Sequence, residues 1–314
     1  MPLKFVANST KFSVENAVLL AEAASTAYKN KLACQQWAGQ NGFAECEMFS
    51  GRGTLIPCDT QGFVARNATD IVVAFRGTEP RQRLDWLADA RFIPRDWAHG
   101  PGHVHEGFKD ALQAVWSDPV QTSETLPQWL LAHNGRNVWI TGHSLGGALA
   151  ELCAARALSA NLPVHGVYTF GQPRVGDEVF AMALHTALGS RTCRFINDRD
   201  IVPRVPLFTM KFRHYGGEVF FDHQGKPTER ASAVEVASDA LRLFRAAFRQ
   251  DISLSIAGLV RAVNRLSESD SKDLIQSILA KGLENIEDHS MENYLPRIKA
   301  KLNEQAAAQG SPAK

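Results

Sequence analysis

The first apolar pattern along the chain has helical spacing: residues 14–28 read as an amphipathic helix, with Ser13 placed to cap it. Short apolar runs then predict strands over 55–58, 62–66 and 70–75, separated by turn-forming residues at 59–61 and 67–70. A polar stretch containing Trp86 covers 79–89, and another strand is expected over 91–94. Helical spacing returns at 107–116 and 125–134. The β-branched run 138–141 reads as a buried strand that passes directly into an alanine-rich helix. A strand over 164–170, a helix over 178–188 and a strand over 192–196 follow. Strands alternating with helices imply an α/β fold, a mostly parallel, doubly wound sheet with helices on both faces.

From 229 to 287 the composition changes to nearly continuous helix former. Leu241, Phe244 and Phe248 share one face; so do Ile256, Leu259, Val260 and Val263, and again Leu274, Ile275, Ile278 and Leu279. Three helices are expected here, a helical insertion that either packs on the core or forms a cap. Residues 1–302 are read as one domain that includes this insertion, and 303–314, low in apolar content, as a flexible tail.

Composition narrows the classes of partner. A chain of 314 residues, 45% hydrophobic, can bury a large core. With 34 basic and 33 acidic residues, a formal charge of +1 and no basic stripe, it is not expected to bind nucleic acid, and a small neutral partner is favoured. No run of eighteen apolar residues occurs, so no transmembrane segment is expected. At the N-terminus Glu15 and Glu22 flank a short apolar stretch, which is not the order of a cleavable signal; the expectation is a cytoplasmic protein or one exported without such a signal. The cysteines Cys34, Cys46, Cys58, Cys153 and Cys193 form no C-x-x-C pair and fit a reducing compartment, with Cys153 a core residue. Cys34 and Cys46 flank a loop that a disulfide could close.

The candidate chemistry centres on Gly142-His143-Ser144-Leu145-Gly146, between the 138–141 strand and its helix. A serine on such a sharp strand-to-helix turn projects its hydroxyl above the sheet, and the bracketing glycines let the turn close. Its hydroxyl needs a base, and the base needs an orienting carboxylate; on sheets of this kind both follow the serine in sequence. The acids available are Asp177, Asp198, Asp200 and Asp222, and the histidines His165, His185, His214, His223 and His289. Position past the 192–196 strand favours Asp200, with Asp198 in the same loop. His289 follows the helical insertion, and His214 is the alternative base. Leu145 N–H is one expected oxyanion donor. His99, His103 and His105 with Glu106 match no zinc spacing, so no metal is expected; nor is a cofactor.

Six motifs in order then carry a family resemblance: Phe75-Arg76-Gly77-Thr78, Val104-His105-Glu106-Gly107-Phe108, Thr141-Gly142-His143-Ser144-Leu145-Gly146-Gly147, Thr169-Phe170-Gly171-Gln172-Pro173-Arg174-Val175-Gly176, Asn197-Asp198-Arg199-Asp200-Ile201-Val202-Pro203 and Asp288-His289-Ser290. The chain resembles the class 3, fungal-type lipase family of α/β-hydrolases from about Val72 to Tyr294. The resemblance implies the α/β-hydrolase fold, with Ser144 as nucleophile, Asp200 as acid, His289 as base, and the N–H of Thr78 joining that of Leu145 as oxyanion donor. It implies a serine ester hydrolase, a lipase acting on acylglycerols through an acyl-enzyme, with an ester or lipid as partner and a transient lipid interface. A soluble esterase, a feruloyl esterase or a phospholipase would use the same residues; a silent lipid-binding protein is the alternative of another class. The segment 83–88 occupies the place of the family's lid, but the separation of 89 residues between Asp200 and His289 is longer than the resemblance leads one to expect.

Overall fold

The computed structural model describes residues 5–6, 12–52, 59–77, 93–117, 125–131, 135–197, 200, 202–206, 211–222, 224–228 and 289–308. Helices α1 (Val14–Thr26) and α2 (Lys31–Gln40) lead into strands β1 (Glu45–Arg52), β2 (Asp59–Arg66) and β3 (Asp70–Phe75). Two short strands, β4 (Pro94–Asp96) and β5 (His103–His105), precede helices α3 (Glu106–Trp116) and α4 (Leu126–Leu131). Strand β6 (Asn137–His143) passes into α5 (Leu145–Ser159), and β7 (Gly166–Phe170) is followed by β8 (Gly176–Asp177), α6 (Glu178–Leu188) and β9 (Thr192–Asn197). The short strands β10 (Phe212–Arg213), β11 (Gly217–Phe221) and β12 (Pro227–Thr228) and the C-terminal helix α7 (Met291–Ala308) complete the described elements.

Among the described residues the main sheet runs β1-β2-β3-β6-β7-β9-β11-β12. Its centre, β3-β6-β7-β9-β11, is parallel; β1 and β2 add antiparallel strands at one edge and β12 at the other. Side chains alternate across a strand, so each strand feeds two cores. Ile71, Val73 and Phe75 of β3 and Val138 and Ile140 of β6 pack with α3, α5 and α6. Val72 and Ala74, with Trp139, pack on the opposite face with α1, α2 and α7. This is the expected doubly wound α/β arrangement, with helices on both faces.

The helix α1 starts where its cap predicts: the Ser13 hydroxyl accepts the Asn16 N–H at 3.2 Å. It stops at Thr26, short of the expected Tyr28, whose side chain is drawn inward to His143. Both α2 and β1 went unforeseen. Only Cys34, Trp37 and Ala38 of α2 are buried, too few for a visible stripe, and β1 is defined by its eight-residue register with β2 rather than by its own composition. Residues 59–61, read as a turn, are the first part of β2. The helix α7 continues to Ala308, past the expected onset of a flexible tail at 303, through a run of strong helix formers ending in Ala-Ala-Ala. The expected strand over 55–58, the lid segment 83–88 and the helical insertion 229–287 lie outside the described residues.

Candidate active site

Ser144 stands at the junction of β6 and α5 with φ 59° and ψ −129°, a backbone region in which a residue bearing a Cβ is strained by roughly 1–3 kcal/mol. The neighbouring glycines explain how the turn closes: a Cβ on Gly142 would collide with the Gly146 backbone, and one on Gly146 with the Phe75 carbonyl. The Ser144 N–H donates to the Phe170 carbonyl at 2.9 Å, tying the turn to β7. Ser144 is α5's N-cap residue, yet its side chain makes no capping hydrogen bond. The hydroxyl is therefore not committed to the helix; the Gly147 amide donates to the Ser144 carbonyl at 2.9 Å, while Leu145 opens the helix, where an α-helix leaves its N–H groups without an intrahelical acceptor.

Asp200 follows β9 and is fully buried. Its carboxylate meets three donors: Oδ2 accepts from His289 Nδ1 at 2.7 Å and from the Tyr294 hydroxyl at 2.6 Å, and Oδ1 accepts the Val202 N–H at 2.9 Å. Burial and the adjacent Asp200 carboxylate hold the Tyr294 phenol well above its usual range, so it remains a protonated donor. Its oxygen in turn accepts the Asn197 N–H at 3.0 Å. The Asp200–His289 pair rests on the left-handed turn at Gly171 (φ 58°), where a Cβ would come within 2.7 Å of both Asp200 Oδ2 and His289 Cε1.

His289 is 1% exposed and arrives from the sequence just before α7. With Nδ1 engaged by Asp200, its Nε2 is buried and has no hydrogen-bond partner among the described residues. Its ring lies 4.6 Å, centroid to centroid, from that of His143, the residue before Ser144. The fold thus gathers Ser144, Asp200 and His289 around the carboxyl ends of β6, β7 and β9. Ser144 and His289 are not hydrogen-bonded in this structure, a bond that commonly tightens only with substrate in place. Chemically the arrangement offers a hydroxyl on a strained turn, an imidazole oriented through Nδ1 with its other nitrogen unused, and a buried carboxylate that fixes the orientation of that imidazole.

The competing candidates have other employment. His214 directs Nε2 to the Pro203 carbonyl at 2.8 Å, and burial beside Arg194 and Arg174 keeps it far below the usual imidazole range. Asp177 caps α6 and pairs with His103 at 2.8 Å, while Asp222 accepts the Gln224 and Lys226 amides in an exposed turn. His165 lies against Trp139, and His185 accepts the Gly216 N–H. His105, pushed down to about 4 by burial, caps α3 through Nδ1, and His103 is clamped between Asp96 and Asp177. Thr78, Asp198 and His223 lie outside the described residues.

Three side chains of the site were not singled out from the sequence: Tyr294, His143 and Tyr28. His143 was in view as part of the elbow motif, but its role depends on contacts with residues 28 and 289, and Tyr294 could have been found only by asking which hydroxyl a helix starting after His289 would swing toward Asp200.

The family described as Lipase (class 3) matches residues 72–210. A lipase of Rhizomucor miehei is 37% identical over 181 residues, which cover 54% of this chain and 47% of that protein. A secreted mono- and diacylglycerol lipase A of Penicillium camembertii is 30% identical over 181 residues, 57% of each protein. The chain thus spans about half the length of the curated relatives it matches. Among solved structures, the native Rhizomucor miehei lipase propeptide complex superposes with a TM-score of 0.50 at 30% identity, over 68% of this chain and 69% of that one.

Proposed function

The chain belongs to the class 3 lipase family, and on that premise we propose that it is a serine carboxylic ester hydrolase, a lipase that cleaves acylglycerols through an acyl-enzyme. The observation that carries the reading is the strained Ser144 turn set beside the buried Asp200–His289 pair. In this mechanism His289 Nε2 takes the Ser144 proton as Oγ attacks the ester carbonyl, and Asp200 stabilises the imidazolium. The oxyanion forms against the Leu145 N–H, with Thr78 proposed as second donor; each such donor contributes about 3 kcal/mol to the transition state. His289 then returns the proton to the leaving alcohol, and water, activated by the same imidazole, releases the fatty acid. No cofactor enters these steps. The acylglycerol preference draws support from a relative named for mono- and diacylglycerols, and the substrate class implies a transient contact with a lipid surface.

The test is covalent labelling. A serine-directed organophosphonate should add one equivalent at Ser144 and abolish hydrolysis of both a chromogenic ester and a diacylglycerol emulsion. Labelling elsewhere, with hydrolysis intact in Ser144→Ala, would sink the proposal.

A further inference from the structure

Besides Asp200, a second polar chain reaches His289, and it starts on the other side of the nucleophile. The buried His143 ring bridges two groups: Nε2 faces the main-chain carbonyl of His289 within hydrogen-bond distance, and Nδ1 lies 2.8 Å from the Tyr28 hydroxyl. A carbonyl oxygen only accepts, so Nε2 must carry the proton. In the neutral ring Nδ1 is then bare, and the Tyr28 O–H donates to it. One arrangement of protons satisfies every group: Tyr28 to His143, His143 to the backbone of His289.

We infer that His143 and Tyr28 are positioning residues for the base His289, an inference that rests on the reaction proposed above. His289 is held at its side chain by Asp200, at its main chain by His143 Nε2, and on its ring face by the His143 imidazole, inclined at 34°. Two of those three holds come from the residue directly before Ser144. His143 closes β6, paired in register with Phe170, so the strand that carries the nucleophile also sets the height of the base above it. Tyr28 extends the strut to the oxyanion side: a Cβ on Gly77 would collide with the Tyr28 hydroxyl and lie 3.1 Å from Ser144 Cβ. Gly77, the nucleophile and the base are thereby referred to one another through a single imidazole. The general reason such a strut matters is that misplacing a reacting group by about 1 Å costs on the order of a hundredfold in rate.

The experiment compares the full-length protein with His143→Leu, His143→Gln and Tyr28→Phe. Glutamine retains an N–H that reaches the His289 carbonyl; leucine retains only bulk. On a short-chain p-nitrophenyl ester, kcat should fall on the order of tenfold to a hundredfold in His143→Leu and severalfold in Tyr28→Phe, with KM within about twofold. His143→Gln should recover most of the loss. Independently of turnover, the low-field imidazole N–H resonance of His289 should stay narrow in the wild type and His143→Gln and broaden in His143→Leu and Tyr28→Phe. Unchanged kcat and an unchanged resonance in both disruptive variants would overturn the strut, as would a glutamine variant as impaired as leucine. A wild-type protein that phosphonate does not label refutes the proposed hydrolase instead, and the resonance still decides whether His143 holds His289. Should His143→Leu not fold, Tyr28→Phe carries the same comparison.

Discussion

Tyr294 and His289 share one oxygen: the phenol and the imidazole both donate to Oδ2 of Asp200, at 2.6 Å and 2.7 Å. A buried carboxylate with unmet lone pairs is costly, and the phenol removes that cost without adding charge. Tyr294→Phe should therefore lower the unfolding free energy by about 1–2 kcal/mol while kcat stays within about tenfold of wild type. Denaturant unfolding and initial rates check both; a loss as large as that of Asp200→Asn would mean that the phenol takes part in the chemistry.

The assignment of the base is tested by contrast. His289→Ala and Ser144→Ala should each bring kcat toward a residual of about 10^3 to 10^4 over water, and Asp200→Asn should also be severe because the imidazole loses its orienting acceptor. His214→Gln should leave kcat within a few-fold, since His214 serves the Pro203 carbonyl and is kept neutral by burial beside two arginines. A crippled His214→Gln with a mild His289→Ala would reverse the assignment.

Glu151, on α5 two turns beyond the nucleophile, makes stability depend on pH. It is fully enclosed, accepts the Gln172 amide, and is pushed up to about 8 by burial, against a smaller opposing pull from Gln172 and Arg194. The folded state thus keeps a proton that the unfolded chain releases near its ordinary value of 4.5. That contribution is fully present below 4.5, declines as pH rises through the window up to about 8, and is gone above it. A tenfold difference in proton affinity between the folded and unfolded chains is worth about 1.4 kcal/mol, so the wild type should lose a few kcal/mol from this group alone as the medium passes from mildly acidic to mildly alkaline. Glu151→Gln should flatten that slope. Identical pH dependence of Tm in the two proteins would show that the carboxyl is already ionised in the native state.

The described cysteines are free, Cys34 and Cys46 among them, and burial raises their thiols to about 11 and about 12. At pH 8 a thiol raised this far is thiolate in roughly one molecule in a thousand or fewer. A thiol reagent should therefore leave the buried Cys34, Cys46, Cys153 and Cys193 nearly untouched in the native protein, and titrate all five cysteines after unfolding without reductant. Fewer than five reactive thiols would reveal a disulfide.

Local chemistry was legible in the sequence and long-range pairing was not. The strand-turn-helix around Ser144 is written within about twenty consecutive residues, because the glycines, the β-branched run and the alanines each constrain the backbone where they stand. The alternation of strands and helices from 138 to 197 likewise predicted β6, α5, β7, α6 and β9 to within a few residues, since the strands, buried on both faces, and the helices between them are marked by their own local composition. Where an element is stabilised from outside, that signal vanishes: α2 shows few buried positions and β1 depends on β2, and neither was foreseen. The order of Ser144, Asp200 and His289 along the chain restricted the candidates and left His214 standing. The resemblance favoured His289; what the tertiary structure adds is where each histidine sits, His214 with Nε2 on a backbone carbonyl and His289, 89 residues from Asp200, on that carboxylate. The Tyr28–His143–His289 strut and the Tyr294–Asp200 bond are invisible in sequence for the same reason: each is a contact between side chains far apart in the chain, and its geometry exists only once the sheet has closed and α1 and α7 have packed side by side on its face.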